Sequence, residues 1–103
     1  MQLIVSTFRA DIIEALDHRL DAKWRHFGTF LRVEYQIIES IYLDNGGNAE
    51  DSMLDLLGKW TFNQAGTGTL PRTWQTVVEA VRKCGFGSIA ENLAHKHGIT
   101  LSQ

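Results

Sequence analysis

Trp74, Val77, Val78 and Val81 stand at i, i+3, i+4 and i+7. That spacing lays one apolar stripe along a helix with 3.6 residues per turn, and such a stripe has to be covered by something. Pro71 suits the first turn of this helix, where its missing amide hydrogen costs nothing, and Gly85 is a natural stop. The spacing returns at Met53, Leu56, Leu57 and Trp60 behind Asn48, a suitable N-cap. It returns again at Trp24, Phe27, Gly28 and Leu31, and at Phe86, Ile89, Ala90 and Leu93, which Gly98 closes. A further helix over roughly residues 34–44 turns Ile38, Ile41 and Tyr42 inward and stops before Asn45-Gly46-Gly47. Phe8, Ile12, Leu16 and Leu20 recur every four residues behind Ser6 or Thr7 as cap. Leu3-Ile4-Val5 either extends this first helix or forms a separate packed arm.

Period-two alternation is weak throughout, so no sheet is expected. The predicted fold is all-α: six helices of about 10–15 residues in an antiparallel bundle. Its predicted core is Trp24, Phe27, Leu31, Ile38, Ile41, Leu56, Leu57, Trp60, Trp74, Val77, Val78, Val81, Ile89 and Leu93. The longest irregular stretch, Gln64 to Leu70, is rich in Gly and Thr and reads as a flexible connection.

A length of 103 residues with 44% hydrophobic content suits one domain over 1–103 with a real core. No run reaches the 18 or so apolar residues of a membrane helix, and the first residues lack the pattern of a signal peptide. A single cysteine, Cys84, cannot form an internal disulfide and fits a reducing compartment, so a cytoplasmic location is expected.

The net charge of −2 argues against a dedicated nucleic-acid binder. That small total hides an uneven distribution. Residues 23–33 carry Lys23, Arg25 and Arg32 and no acid. Residues 34–70 carry Glu34, Glu39, Asp44, Glu50, Asp51 and Asp55 against Lys59.

Catalytic and cofactor chemistry finds no support in the motifs. His95 and His97 are two apart, which points them away from each other on a helix, and His18 and His26 have no Cys or His at ligand spacing. No metal or other cofactor is expected. Cys84 reads as a packed helix end rather than a nucleophile. Glu50 and Asp51 complement the dipole of a helix start. Gly66-Thr67-Gly68-Thr69 lacks the Lys-Ser/Thr of a phosphate loop, so no enzyme is expected.

The order of motifs resembles a death domain. Trp24-Arg25-His26-Phe27-Gly28-Thr29-Phe30-Leu31-Arg32-Val33 looks like the family's second helix, and Ile38 and Ile41 like its third. Leu56-Leu57-Gly58-Lys59-Trp60 matches the fourth. Thr73 to Gly85 and Ser88 to Leu93 match the fifth and sixth, the most specific part of a likeness covering residues 8–97. The pattern departs at Arg32, where the family usually has Gly, at Phe30, where it has a polar residue, and in the longer stretch 62–70. The resemblance implies a non-catalytic adaptor of apoptotic or innate-immune signalling. Its partners would be other death-fold domains, with a homo-oligomer or filament as product. The alternative is a small helical nucleic-acid-binding domain using Arg72, Arg82 and Lys83, although Glu79 and Glu91 interrupt that basic surface.

For the first reading, Arg25 and Arg32, seven apart, would share one flank of helix two. Asp11, Glu14 and Asp17 on helix one, and Glu50, Asp51 and Asp55 on helix four, offer the opposite sign. One molecule would then hold both halves of a heterologous contact. Phe30 lies about 110° from the buried direction of its helix. It is either an interface anchor or is covered by helix one or a loop.

Overall fold

The computed structural model describes residues 5–101, with side chains from Thr7 onward. Leu3 and Ile4 lie outside the described residues. Six α-helices follow in order: α1 Val5–Leu16, α2 Trp24–Phe30, α3 Tyr35–Asp44, α4 Ala49–Thr61, α5 Trp74–Lys83 and α6 Gly87–His97. A single 3-10 turn, Asp21–Lys23, precedes α2. Among the described residues there is no strand. Among them, too, no helix is long and apolar enough to cross a membrane.

Local chemistry accounts for most boundaries. Asn48 caps α4, its side-chain oxygen accepting the Asp51 amide at 2.8 Å. Thr73 caps α5 through the Thr76 amide, so Pro71 stands outside the helix and not in its first turn. Because α1 starts at Val5, Ser6 and Thr7 are helical residues and not caps.

At the other ends, α2 to α6 all close the same way. One amide, that of a left-handed residue, bonds back three residues and the next bonds back five. In α5 these are Gly85 to Arg82 and Phe86 to Val81, and in α6 Gly98 to His95 and Ile99 to Ala94. Gly46 and Asn63 serve α3 and α4. In α2 the left-handed residue is Arg32, with φ +71°, its amide bonding Thr29 and that of Val33 bonding Gly28. Arginine thus occupies a position that suits glycine, at a cost of about 1 kcal/mol.

The predicted core is met at Trp24, Phe27, Leu31, Ile38, Ile41, Leu56, Leu57, Trp60, Val77, Val78, Val81 and Leu93, all buried. Trp74 and Ile89 are only half-buried, packed against the core from its edge. Tyr42, expected inward, is 40% exposed. It lies under the Arg25 guanidinium, 4.5 Å from the ring centre. Leu20 is buried although α1 has ended at Leu16. Asp17 and His18, at φ +47° and +62°, reverse the chain and return Leu20 to the interior.

The Gly/Thr stretch is an ordered loop. The Arg72 side chain donates to the carbonyls of Trp60, Thr67, Gly68 and Leu70 and to Thr67 Oγ1, at 2.6–3.2 Å. Its guanidinium lies 5.3 Å from the Trp60 ring centre. Thr67 is buried, and Glu34 donates its amide to the Gly66 carbonyl at 2.8 Å. A Cβ on Gly68, which sits at φ +80°, would meet the Arg32 carbonyl oxygen at 2.6 Å. The loop is therefore pressed onto the α2–α3 junction.

Candidate functional site

The structure separates the charges expected to form one surface. Arg25 pairs with Glu39 of α3 at 2.6 Å and lies over Tyr42 and Trp24, so it is occupied internally. Arg32 is not on α2 at all. The helix ends at Phe30, and Arg32 stands exposed on the following turn. The two arginines therefore do not share a helical flank. Asp55 is also occupied, by Lys59 at 2.6 Å and by the Asn45 amide at 3.0 Å.

What remains is smaller and better defined. The side chains of Arg32, Asp11, Glu14 and Asp51 make no hydrogen bond or ion pair among the described residues. Asp11 and Glu14 are exposed on α1, and Glu50 and Asp51 are exposed in the first turn of α4. Asp17 has left α1 and belongs to the turn that follows it.

Phe30 is half-buried. It borders a cavity of about 200 Å³ with Leu70 of the loop and Gln75, Thr76, Glu79, Ala80 and Lys83. Of the coverings expected for it, the loop is present, and α5 takes the place of helix one. On the alternative basic surface, Arg72 is spent on loop carbonyls and Arg82 pairs with Glu79 at 3.5 Å, which leaves Lys83. Burial pushes the half-buried Cys84 thiol upward, against the pull of Lys23. The sulfur is therefore held as the thiol, away from the reactive thiolate.

Two groupings were not legible beforehand. His18 Nδ1 meets Asp21 Oδ2 at 3.0 Å, and Glu50 approaches from α4. One ligand atom from each of the three lies within 4.8 Å of the others, so the set could hold a divalent cation. Its members are 32 positions apart at the extreme, and only the His18–Asp21 spacing is visible in the sequence. The hydrogen bond to Asp21, reinforced by Glu50, raises the His18 pKa.

The second grouping lies between α1 and the α5–α6 pair. There Asp11, Glu14, Ala15, Trp74, Lys96 and His97 line a cavity of about 300 Å³. The rings of Trp74 and His97 stack with centroids 4.0 Å apart and planes at 14°, while Phe8 meets Trp74 edge-on at 5.6 Å. The tryptophan is thus braced on two sides and open on a third.

Burial and the neighbouring Lys96 hold His97 below its ordinary value of 6.5, with Asp11 opposing. A depressed pKa means the unfolded chain binds the proton more tightly. His97 therefore costs nothing above 6.5, and protonation destabilises the fold as pH falls from 6.5 through the lower folded value. His97→Gln should flatten the acid side of the stability curve in that window, as read from urea midpoints across pH. An unchanged slope would show that His97 titrates as if exposed.

No protein-family model, no curated protein and no solved structure matches the chain.

Proposed function

We propose that the chain is a non-catalytic homotypic interaction module of death-domain-like helix order, assembling through complementary charged faces. The observation that carries this reading is the division of charge left after internal pairing. Arg32 stands unpaired on the α2–α3 turn, while Asp11 and Glu14 on α1 and Asp51 on α4 stand unpaired elsewhere. A surface that neutralised its own charges would leave nothing for a partner to read.

Around Arg32 the surface also carries apolar area. Tyr35, three positions after Arg32 at the start of α3, is 71% exposed. Aromatic and arginine side chains together are typical of interface centres. The resemblance in motif order supplies the setting: an adaptor of apoptotic or innate-immune signalling, working in the cytoplasm with other death-fold domains. Half-sites of opposite sign on different elements make the contact heterologous, so repetition yields a ring or an open helix.

The test is sedimentation velocity over a concentration series at low and high salt. Wild type should form species larger than a dimer, fewer at high salt because exposed ion pairs are screened. Arg32→Glu should stay monomeric, and so should Asp11→Arg with Glu14→Arg. An equimolar mixture of the two should stop at a dimer, since only one productive contact remains. Wild-type-sized oligomers from either variant at moderate salt would sink the charged-face reading.

A further inference from the structure

We infer that the cavity between α1 and the α5–α6 pair is a receptor for an arginine guanidinium, and that Arg32 of a second copy supplies it. This inference rests on the homotypic reading above and assigns one of its contacts.

The chemistry of the lining selects the ligand. Two carboxylates, Asp11 and Glu14, share the lining with a half-buried indole and carry no internal ion pair. An aromatic ring beside carboxylates suits an organic cation, which gains from the ring's quadrupole and from charge together. Lys96 adds one positive charge to the lining. The balance is still negative while His97 is neutral.

Between the two protein cations, guanidinium fits better. It is planar, stacks on aromatic rings, sheds water more readily than ammonium, and offers a fork of donors to a carboxylate. The bracing of Trp74 by His97 and Phe8 holds the indole in place before a ligand arrives, so little ordering is needed on binding.

The source is argued from what the chain has to spare. Arg25, Arg72 and Arg82 are each bound internally, and Arg9 is half-buried on α1, which leaves the exposed Arg19 and Arg32. Of these two, neither of which has a side-chain partner among the described residues, Arg32 stands three positions from the exposed Tyr35, an arginine and aromatic together as at interface centres. It does not line the cavity of its own molecule, so it can reach one only on another copy. Its backbone, at φ +71°, would be easier for glycine, which gives a variant that removes the side chain without straining the fold.

The experiment has two arms. In the first, N-acetyl-L-arginine amide is titrated into ¹⁵N-labelled Arg32→Gly protein while the Trp74 indole resonance is followed. A saturable shift is expected, weakened about tenfold by Asp11→Asn with Glu14→Gln and strengthened a few-fold by Lys96→Gln, in keeping with exposed charge contacts. No Trp74 shift, or equally tight binding of N-acetyl-L-lysine amide, overturns the receptor assignment. In that case self-association can persist through other faces, and the proposed function survives.

In the second arm, self-association of wild type and Arg32→Gly is compared by sedimentation. Loss of association in Arg32→Gly, with an unchanged or raised melting temperature, supports Arg32 as the source. A saturable probe shift alongside full association of Arg32→Gly overturns Arg32 as the source. Wild type that never associates removes the second copy and the homotypic reading together.

Discussion

Arg72→Met should destabilise the fold by about 3 kcal/mol, lowering the melting temperature by roughly 10–20 °C for a domain of this size. The reason is geometric. One guanidinium satisfies four carbonyls and the Thr67 hydroxyl, and methionine satisfies none of them. Hydrogen bonds to a charged donor contribute about 1.5–3 kcal/mol each, but water replaces some of them at a half-exposed site. Burial lowers the Arg72 pKa without threatening its charge at neutral pH. Arg72→Lys should recover less than half of the loss, because an ammonium cannot span the same fork of acceptors. Thermal denaturation followed by circular dichroism checks both. A shift under 3 °C for the methionine variant, far below that range, would mean that the loop is held by something other than this side chain.

Trp60→Ala should cost about 3–5 kcal/mol, the range for deleting a large, fully buried aromatic. Trp60 is wholly inaccessible, with Phe8 at 6.3 Å and Arg72 above the ring. Against the usual 5–15 kcal/mol for a whole domain, this variant would be barely folded. Trp74→Ala should cost about half as much, since its ring already keeps one side in water. Urea denaturation of both variants decides the matter. Equal losses would place Trp74 as deep as Trp60 and close the cavity it is said to wall.

The contrast between these tryptophans shows what a sequence can say. Both stand on clean apolar stripes, and periodicity gives the direction of a side chain around its helix. It does not give the height of that residue along the bundle. Trp74 opens α5 and is half-buried, with Phe8 edge-on and His97 stacked against it. The stripes of α4 and α5, the Asn48 cap and the stops at Gly85 and Gly98 were legible because each is decided within a turn or two of chain.

Candidate charges fared differently. Whether Arg25 or Asp55 is available depends on Glu39 and on Asn45, residues brought alongside only by folding. At Arg32 the sequence itself departs from the family's pattern. The family likeness expects Gly there, and that departure marks the left-handed end of α2, which breaks the assumed helical flank. The loop after α4 misled for another reason. Its Gly and Thr content describes freedom in the unfolded chain, and the single arginine that removes this freedom lies beyond its end.

The shared way in which α2 to α6 terminate bears on how quickly the chain can find its fold. Stop signals that close on the residues just before them need no distant partner, so most helix boundaries can be drawn before the helices meet. Chains dominated by such local contacts search fewer long loops and typically fold in microseconds to milliseconds. The junction of the Gly66 carbonyl with the Glu34 amide joins segments far apart in sequence. Loop closure makes such contacts entropically expensive until the helices are already in place. The order of events that follows is helices first, bundle second, and the loop shut last over the end of α2.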